Sequence, residues 1–155
     1  MAGPAVRPSA VREAIEVVVS PARFCCALLL LVGCLIQGCT GSDELRKAER
    51  AVATFREAVQ RGAFKEIYAA ASPEMRSAIG ESSFLGLMQA VSGKLGAYVG
   101  SELKEHRINP QPAMTLVTLA YVTRFQQGAA LERFVFKLSE DRAALVSYNI
   151  HSPAF

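Results

Sequence analysis

Tryptophan is absent from this 155-residue chain, histidine occurs only as His106 and His151, and no cysteine follows Cys39. A zinc site needs three or four converging ligands, so two distant histidines without usable thiols argue against a metal. No cofactor is expected. Beyond Cys39 no internal disulfide is expected either, although a compartment outside the cytoplasm would allow one. No dense basic cluster is present: 17 Lys and Arg stand against 14 Asp and Glu, a formal net charge of +3. Spread along the chain, they give no electrostatic footprint for nucleic acid. Internal repeats and low-complexity tracts are missing. Phosphate-binding loops are missing too, because "GKLGAYVG" and "GSELKEH" lack the required spacing and do not lie between a strand and a helix. Ser82-Ser83 and Ser92-Gly93-Lys94 have no aligned base or oxyanion site that would make a nucleophile of a serine.

What the chain does have is four cysteines gathered between positions 25 and 39. Arg23 precedes an unbroken apolar run from Phe24 to Val32, which resumes through Leu35 and Ile36 before Gly38, Cys39 and polar Thr40. A basic residue, a short apolar stretch and a small residue before a cut define a secretory signal. With about 15 apolar positions the stretch is short for a membrane span, which needs about 20. Residues 23 to 40 resemble the bacterial lipoprotein signal peptide, whose lipobox ends in a small residue followed by the cysteine that takes the lipid. Two cysteines compete for that role. Leu31-Val32-Gly33-Cys34 fits the lipobox residue types better, but leaves a short apolar region and a mature start of Leu35 and Ile36. Ile36-Gln37-Gly38-Cys39 has an unusual Gln but gives a longer apolar region and a polar mature start, which favours Cys39 over the alternative Cys34.

The resemblance implies a signal peptide over 1–38 and a single mature domain over 39–155. An acyl anchor of palmitate type would tether that domain to a bacterial membrane, the outer rather than the inner, facing the periplasm. The competing reading is an uncleaved N-terminal membrane anchor whose cysteines act as small apolar residues. Either way the domain lies outside the cytoplasm, across the membrane from Arg7, Arg12 and Arg23. Residues 1–18 make an unusually long leader; a true start at Val18 or Val19 would shorten it, and a disposable extension is the alternative.

From Ser42, which is placed to cap a helix, Leu45, Ala48, Val52, Phe55 and Val59 recur at spacings of three and four until Gly62. A short helix follows from Phe64, and Ser72-Pro73-Glu74 restarts another. Phe84, Leu87, Met88, Val91 and Leu95 make the clearest helical stripe. From Tyr98 the period changes to two. Strands are expected over 98–108, 114–125, 131–138 and 143–150, joined by a turn at Asn109 to Pro112, one at Gln126 to Ala130 and one at Ser139 to Arg142. Short connections imply an antiparallel meander. Phe55, Leu87, Val91, Val117, Leu119, Phe134 and Phe136 are the expected core.

The expected fold class is therefore α+β, with N-terminal helices packed on a curved four-stranded antiparallel sheet. "AVATFREAVQRGAFKEIYAAASPEMRSAI" resembles the opening of the nuclear transport factor 2-like, or cystatin-like, superfamily, and "TLVTLAYVTRFQQGAALERFVFKLSEDRAALVSYNI" is similar to its last three strands. Such small domains often carry a tryptophan in the final strand, where this chain has Ala144 and Leu145. The resemblance implies a pocket between sheet and helices, in which some members hold an acid or base with a tyrosine. Ionisable candidates are Glu66, Tyr68, Tyr98, His106, Tyr121 and Tyr148. Enolate-type chemistry wants a carboxylate base beside hydroxyl donors. No residue from Met114 to Phe125 is acidic, and Glu132 lies on the opposite alternation from Leu131, Arg133 and Val135, so no catalytic residue is expected. The tyrosines are expected to pack their rings and leave their hydroxyls at the rim, and His106 to be an ordinary strand residue.

Phe84, Leu87, Met88, Val91, Leu95, Tyr98 and Tyr121 are the expected pocket lining, on a helix that also serves as core. The expectation is a non-enzymatic binding or interaction module of the cell envelope, with the membrane as one partner and an envelope protein or a small apolar ligand as another. A structural spacer, or an isomerase- or hydratase-like enzyme, is the alternative. A buried carboxylate beside Tyr98 or Tyr121 would favour the enzyme, and an open apolar cavity would favour binding.

Overall fold

A computed structural model describes residues 40–140 and 142–155; Cys34 and Cys39 lie outside them. Four helices come first: α1 (Thr40–Gln60), α2 (Phe64–Ala70), α3 (Pro73–Ala78) and α4 (Glu81–Leu95). Four strands follow: β1 (Tyr98–Gln111), β2 (Met114–Phe125), β3 (Gly128–Leu138) and β4 (Ala143–His151). They pair antiparallel in the order β1-β2-β3-β4, the meander that the short connections demand. This is the α+β architecture implied by the sequence. Among the described residues no helix is long and apolar enough to cross a membrane.

Local chemistry explains most of the boundaries. Ser72 caps α3, its hydroxyl accepting from the Met75 amide at 3.2 Å, while Pro73 takes the first turn. The Ser72 amide in turn donates to the Leu145 carbonyl at 2.9 Å and ties the helix entrance to β4. At the end of α4, Gly96 adopts φ +74°, a conformation costly for any residue with a Cβ; a Cβ there would also lie 3.2 Å from that of Gln126. Three boundaries differ from the sequence reading. Gly128, Ala129 and Ala130, expected in a turn, open β3 and pair with Phe125, Arg124 and Thr123. Already helical at Thr40, α1 places Ser42 inside the helix rather than at its cap. Likewise β1 runs on through the expected turn to Gln111, pairing Pro110 with Thr115. A proline is tolerated there because β1 is an edge strand whose outer side needs no amide donor.

One face of the sheet is core. Val117, Leu119 and Phe134 are fully buried, and Phe136 is 3% exposed. From the helices Val52, Phe55, Phe84, Met88, Val91 and Leu95 close over them. Leu87, expected in the core, is only partly buried: the inner stripe runs 84, 88, 91, 95, and Leu87 falls to its flank. Phe134 holds the centre. Its ring meets Phe55 edge-on at 5.2 Å, lies 5.1 Å from Tyr148 and 6.1 Å from Tyr121, and stacks on Phe136 at 6.1 Å.

Candidate functional site

Strand alternation that buries Phe134, Phe136 and Leu138 also turns Glu132 inward, and there it is 3% exposed. An isolated carboxylate in such a place is very costly, so it must be paired or hydrogen-bonded. Arg56 supplies the pair. Four residues after Val52 and three before Val59, it sits at the side of the buried stripe of α1 and reaches over the end of the sheet. Its Nη2 lies 3.1 Å from Glu132 Oε2, with side-chain exposures of 14% and 4%.

Hydroxyls complete the cluster. Thr123, fully buried on β2, donates to Glu132 Oε2 at 2.5 Å and accepts from Arg56 Nη2 at 3.2 Å. Tyr148 on β4 donates to the other oxygen, Oε1, at 2.7 Å. Arg56 Nη1 donates to Ser101 Oγ at 2.7 Å and reaches the Tyr98 hydroxyl at 3.5 Å. Its guanidinium carbon stands 4.7 Å from the ring centroids of both Tyr98 and Tyr121, an arrangement in which the ring faces stabilise the cation. Only Arg56 Nε and Ser92 Oγ are buried polar side-chain atoms without a partner among the described residues.

Burial above all, then the negative charge and the hydrogen bond of Glu132, push the Tyr148 hydroxyl far above its ordinary value. Tyr148 is thus a neutral donor at physiological pH. Tyr121 is also raised, by burial first and then by the Glu49 charge. A carboxylate has about four lone-pair positions. Three are met by Arg56, Thr123 and Tyr148, so Glu132 is an anchored charge with one position left.

Beside the cluster a cleft of about 410 Å³ opens between the C-terminal halves of α1 and α4 and the sheet. Phe55, Val59, Met88, Val91 and Phe125 give it apolar walls, while Arg56, Glu132 and Tyr148 form the polar end. Its volume lies within the roughly 300–1,000 Å³ usual for small-molecule sites.

Of the residues expected to line a pocket, Met88, Val91 and Tyr98 line this cleft. The others stand elsewhere. Phe84 is fully buried against Tyr68, their rings 5.8 Å apart, and Leu95 is fully buried in the core. Leu87 faces a small surface hollow beside Ile150 and Phe155. Tyr121 borders a shallow depression with Glu49, Arg56 and Tyr98. Among the other ionisable candidates, Tyr68 donates its hydroxyl to the Arg76 and Ile79 carbonyls, Glu66 pairs with Arg61 at the surface, and His106 is exposed on β1 opposite Leu119. None of these three reaches the cleft. Among the described residues, no three His, Cys, Asp or Glu side chains gather as metal ligands.

Arg56, Thr123 and Glu132 escaped the sequence reading. Parity against Leu131, Arg133 and Val135 alone does not place Glu132. Its own parity is that of Phe134 and Phe136, the two strand residues expected to be buried, and that was the available signal.

No family model matches the chain, and no curated protein matches it. A solved structure that does match is that of a Streptomyces avermitilis protein of the nuclear transport factor 2-like family, provisionally named a dehydratase. It is 12% identical, covers 72% of this chain and 97% of its own length, and superposes with a TM-score of 0.48.

Proposed function

We propose that the chain is a binding module of a bacterial envelope, tethered by a lipid on Cys39, whose cleft takes a small uncharged apolar ligand bearing one hydrogen-bonding group. One observation carries the ligand class: among the described residues, the only charges lining the cleft, Arg56 and Glu132, already neutralise each other at 3.1 Å. A charged ligand would bury an unpaired charge, which is costly; a neutral one with apolar bulk satisfies both the walls and the polar end. Tethering is supported by the run from Arg23 to Thr40, too short to span yet ending in a small residue and cysteine. A spacer role is disfavoured because the cleft is open rather than filled by the chain's own side chains.

A second reading, acid–base catalysis of the isomerase or hydratase kind, has its own observation in the buried Glu132, which stands opposite Tyr121 in the sheet register, the carboxylate beside a tyrosine that favours an enzyme, and keeps one unused lone pair. Against it stands the engagement of both carboxylate oxygens by this chain's own donors, Arg56, Thr123 and Tyr148.

Gentle extraction of the full chain from bacterial membranes, followed by mass spectrometry of bound small molecules, tests the binding. Expected is a neutral apolar compound that leaves with the native chain and is lost from Gln60→Trp, an exposed position on the cleft lining whose added bulk covers the cleft without disturbing the core. Recovery of nothing from the native chain counts against binding, and recovery of two species that the chain interconverts would move the assignment to the enzyme. Attachment is read by alkynyl-palmitate labelling: Cys34→Ala should label normally and Cys39→Ala should not. Full labelling of the Cys39→Ala form sinks the assignment to that cysteine.

A further inference from the structure

A second hollow, about 470 Å³, runs along the other flank of α1, bounded by α2 and by β3 and β4. Phe55, Ala58, Ile67, Ala71, Phe136 and Leu145 make its floor apolar. Charge is distributed unevenly along it. At one end Arg61 pairs with Glu66 at 3.8 Å, so that end is neutral. Toward the other end stand Lys47 and Arg50, three residues apart on α1. Lys47 Nζ meets the Ser139 and Glu140 carbonyls and has no carboxylate within ion-pair distance among the described residues. Arg50 has no carboxylate within ion-pair distance among the described residues. Close by, Arg142 donates to the carbonyl of Ala70, itself part of the groove wall, and adds a third cation.

We infer that this groove binds a free single-chain fatty carboxylate, its head group between Lys47 and Arg50 and its acyl chain along the floor toward Arg61. Charge complementarity sets the sign of the ligand, because an anion meets two cations that have no carboxylate partner among the described residues, and a cation gains no partner from them. Shape fixes a single chain: from Lys47 to Gln60, the end of α1, the helix advances about 20 Å at about 1.5 Å per residue, a trough for one extended tail. This site is independent of the neutral cleft, from which it is separated by the body of α1 and the shared Phe55.

The test is photolabelling of the full chain in its membrane with a diazirine-bearing laurate, adducts being mapped by mass spectrometry. Adducts are expected on the α1, α2 and β4 peptides that line the groove. Laurate should compete for them and dodecyltrimethylammonium should not. The exposed double substitution Lys47→Gln/Arg50→Gln should weaken competition by about tenfold, the worth of a charge-assisted contact. Thr54→Trp, an exposed position that overhangs the floor, should block labelling with the cations intact. Unchanged labelling in both variants, equal competition by the cationic amphiphile, adducts at Met88 and Val91 of the cleft, or adducts scattered over all exposed cations as on a lipid surface would each overturn the proposal.

Discussion

Arg56→Met is expected to cost about 3–5 kcal/mol of folding stability, far more than a surface arginine would, because it leaves Glu132 charged, 4% exposed and short of its counter-ion. Thr123 and Tyr148 would still donate to it, but two hydroxyls do not replace a cation. The informative partner is Arg56→Met/Glu132→Leu. A buried ion pair replaced by apolar groups of similar volume is often neutral or stabilising, so the double variant should recover most of the loss. Urea unfolding of the four forms gives the coupling directly. Additive losses would mean that the pair is not the unit the geometry describes.

The second large effect belongs to Phe134. Its ring touches those of Phe55, Tyr121, Phe136 and Tyr148, and none of it is exposed. Phe134→Ala should therefore cost about 3–5 kcal/mol, toward the upper end because rings from α1, β2 and β4 are held by the strands and helix around them and cannot collapse into the gap. Phe155→Ala, at a half-exposed ring near the C-terminus that stands 5.3 Å from Lys94 Nζ, should change stability by less than about 0.5 kcal/mol. Both are read from denaturant midpoints, and similar losses for the two would show that Phe134 is not the centre of the core.

These two residues also show how far a sequence can be read. Phe134 and Phe136 announce themselves: apolar residues two apart in a β-branched and aromatic run face one side, and a sheet with helices preceding it has one side to cover. Helix stripes were equally legible, since Phe84, Met88, Val91 and Leu95 keep helical spacing without help from distant parts of the chain. Leu87 obeys almost the same spacing and still falls to the edge, because a flank and a centre differ by a fraction of a turn that only the partner surface resolves. Pro110 looked like a turn because proline removes a donor; that β1 lies at the sheet edge, where the donor is not missed, is a property of the sheet order.

Of the candidate site, Met88, Val91 and Tyr98 were legible as lining and Tyr148 as an ionisable candidate, and the inward direction of Glu132 could have been read from its shared parity with Phe134. That Arg56 meets it across 76 positions of sequence, with Thr123 and Tyr148 converging from two other strands, follows from register and not from any local pattern. Long-range polar convergence of this kind has no periodicity. Of the Phe84 to Leu95 stripe, all of whose inner residues are buried, only Met88 and Val91 also border the cleft, because it lies where the C-terminal halves of α1 and α4 face each other, a placement that helical spacing alone does not encode.

The most direct measurement of the central claim is the Met88 methyl resonance, in full chain with labelled methionine methyls and assigned by Met88→Leu, during titration with 2-naphthol and, separately, 2-naphthoate. Met88 lines the apolar wall of the cleft. Expected is a saturable shift of that methyl with the neutral fused-ring alcohol and none with the carboxylate at the same concentration. A Met88 methyl that ignores the alcohol, or that responds equally to the charged compound, would contradict the assignment of the cleft as a site for uncharged apolar ligands.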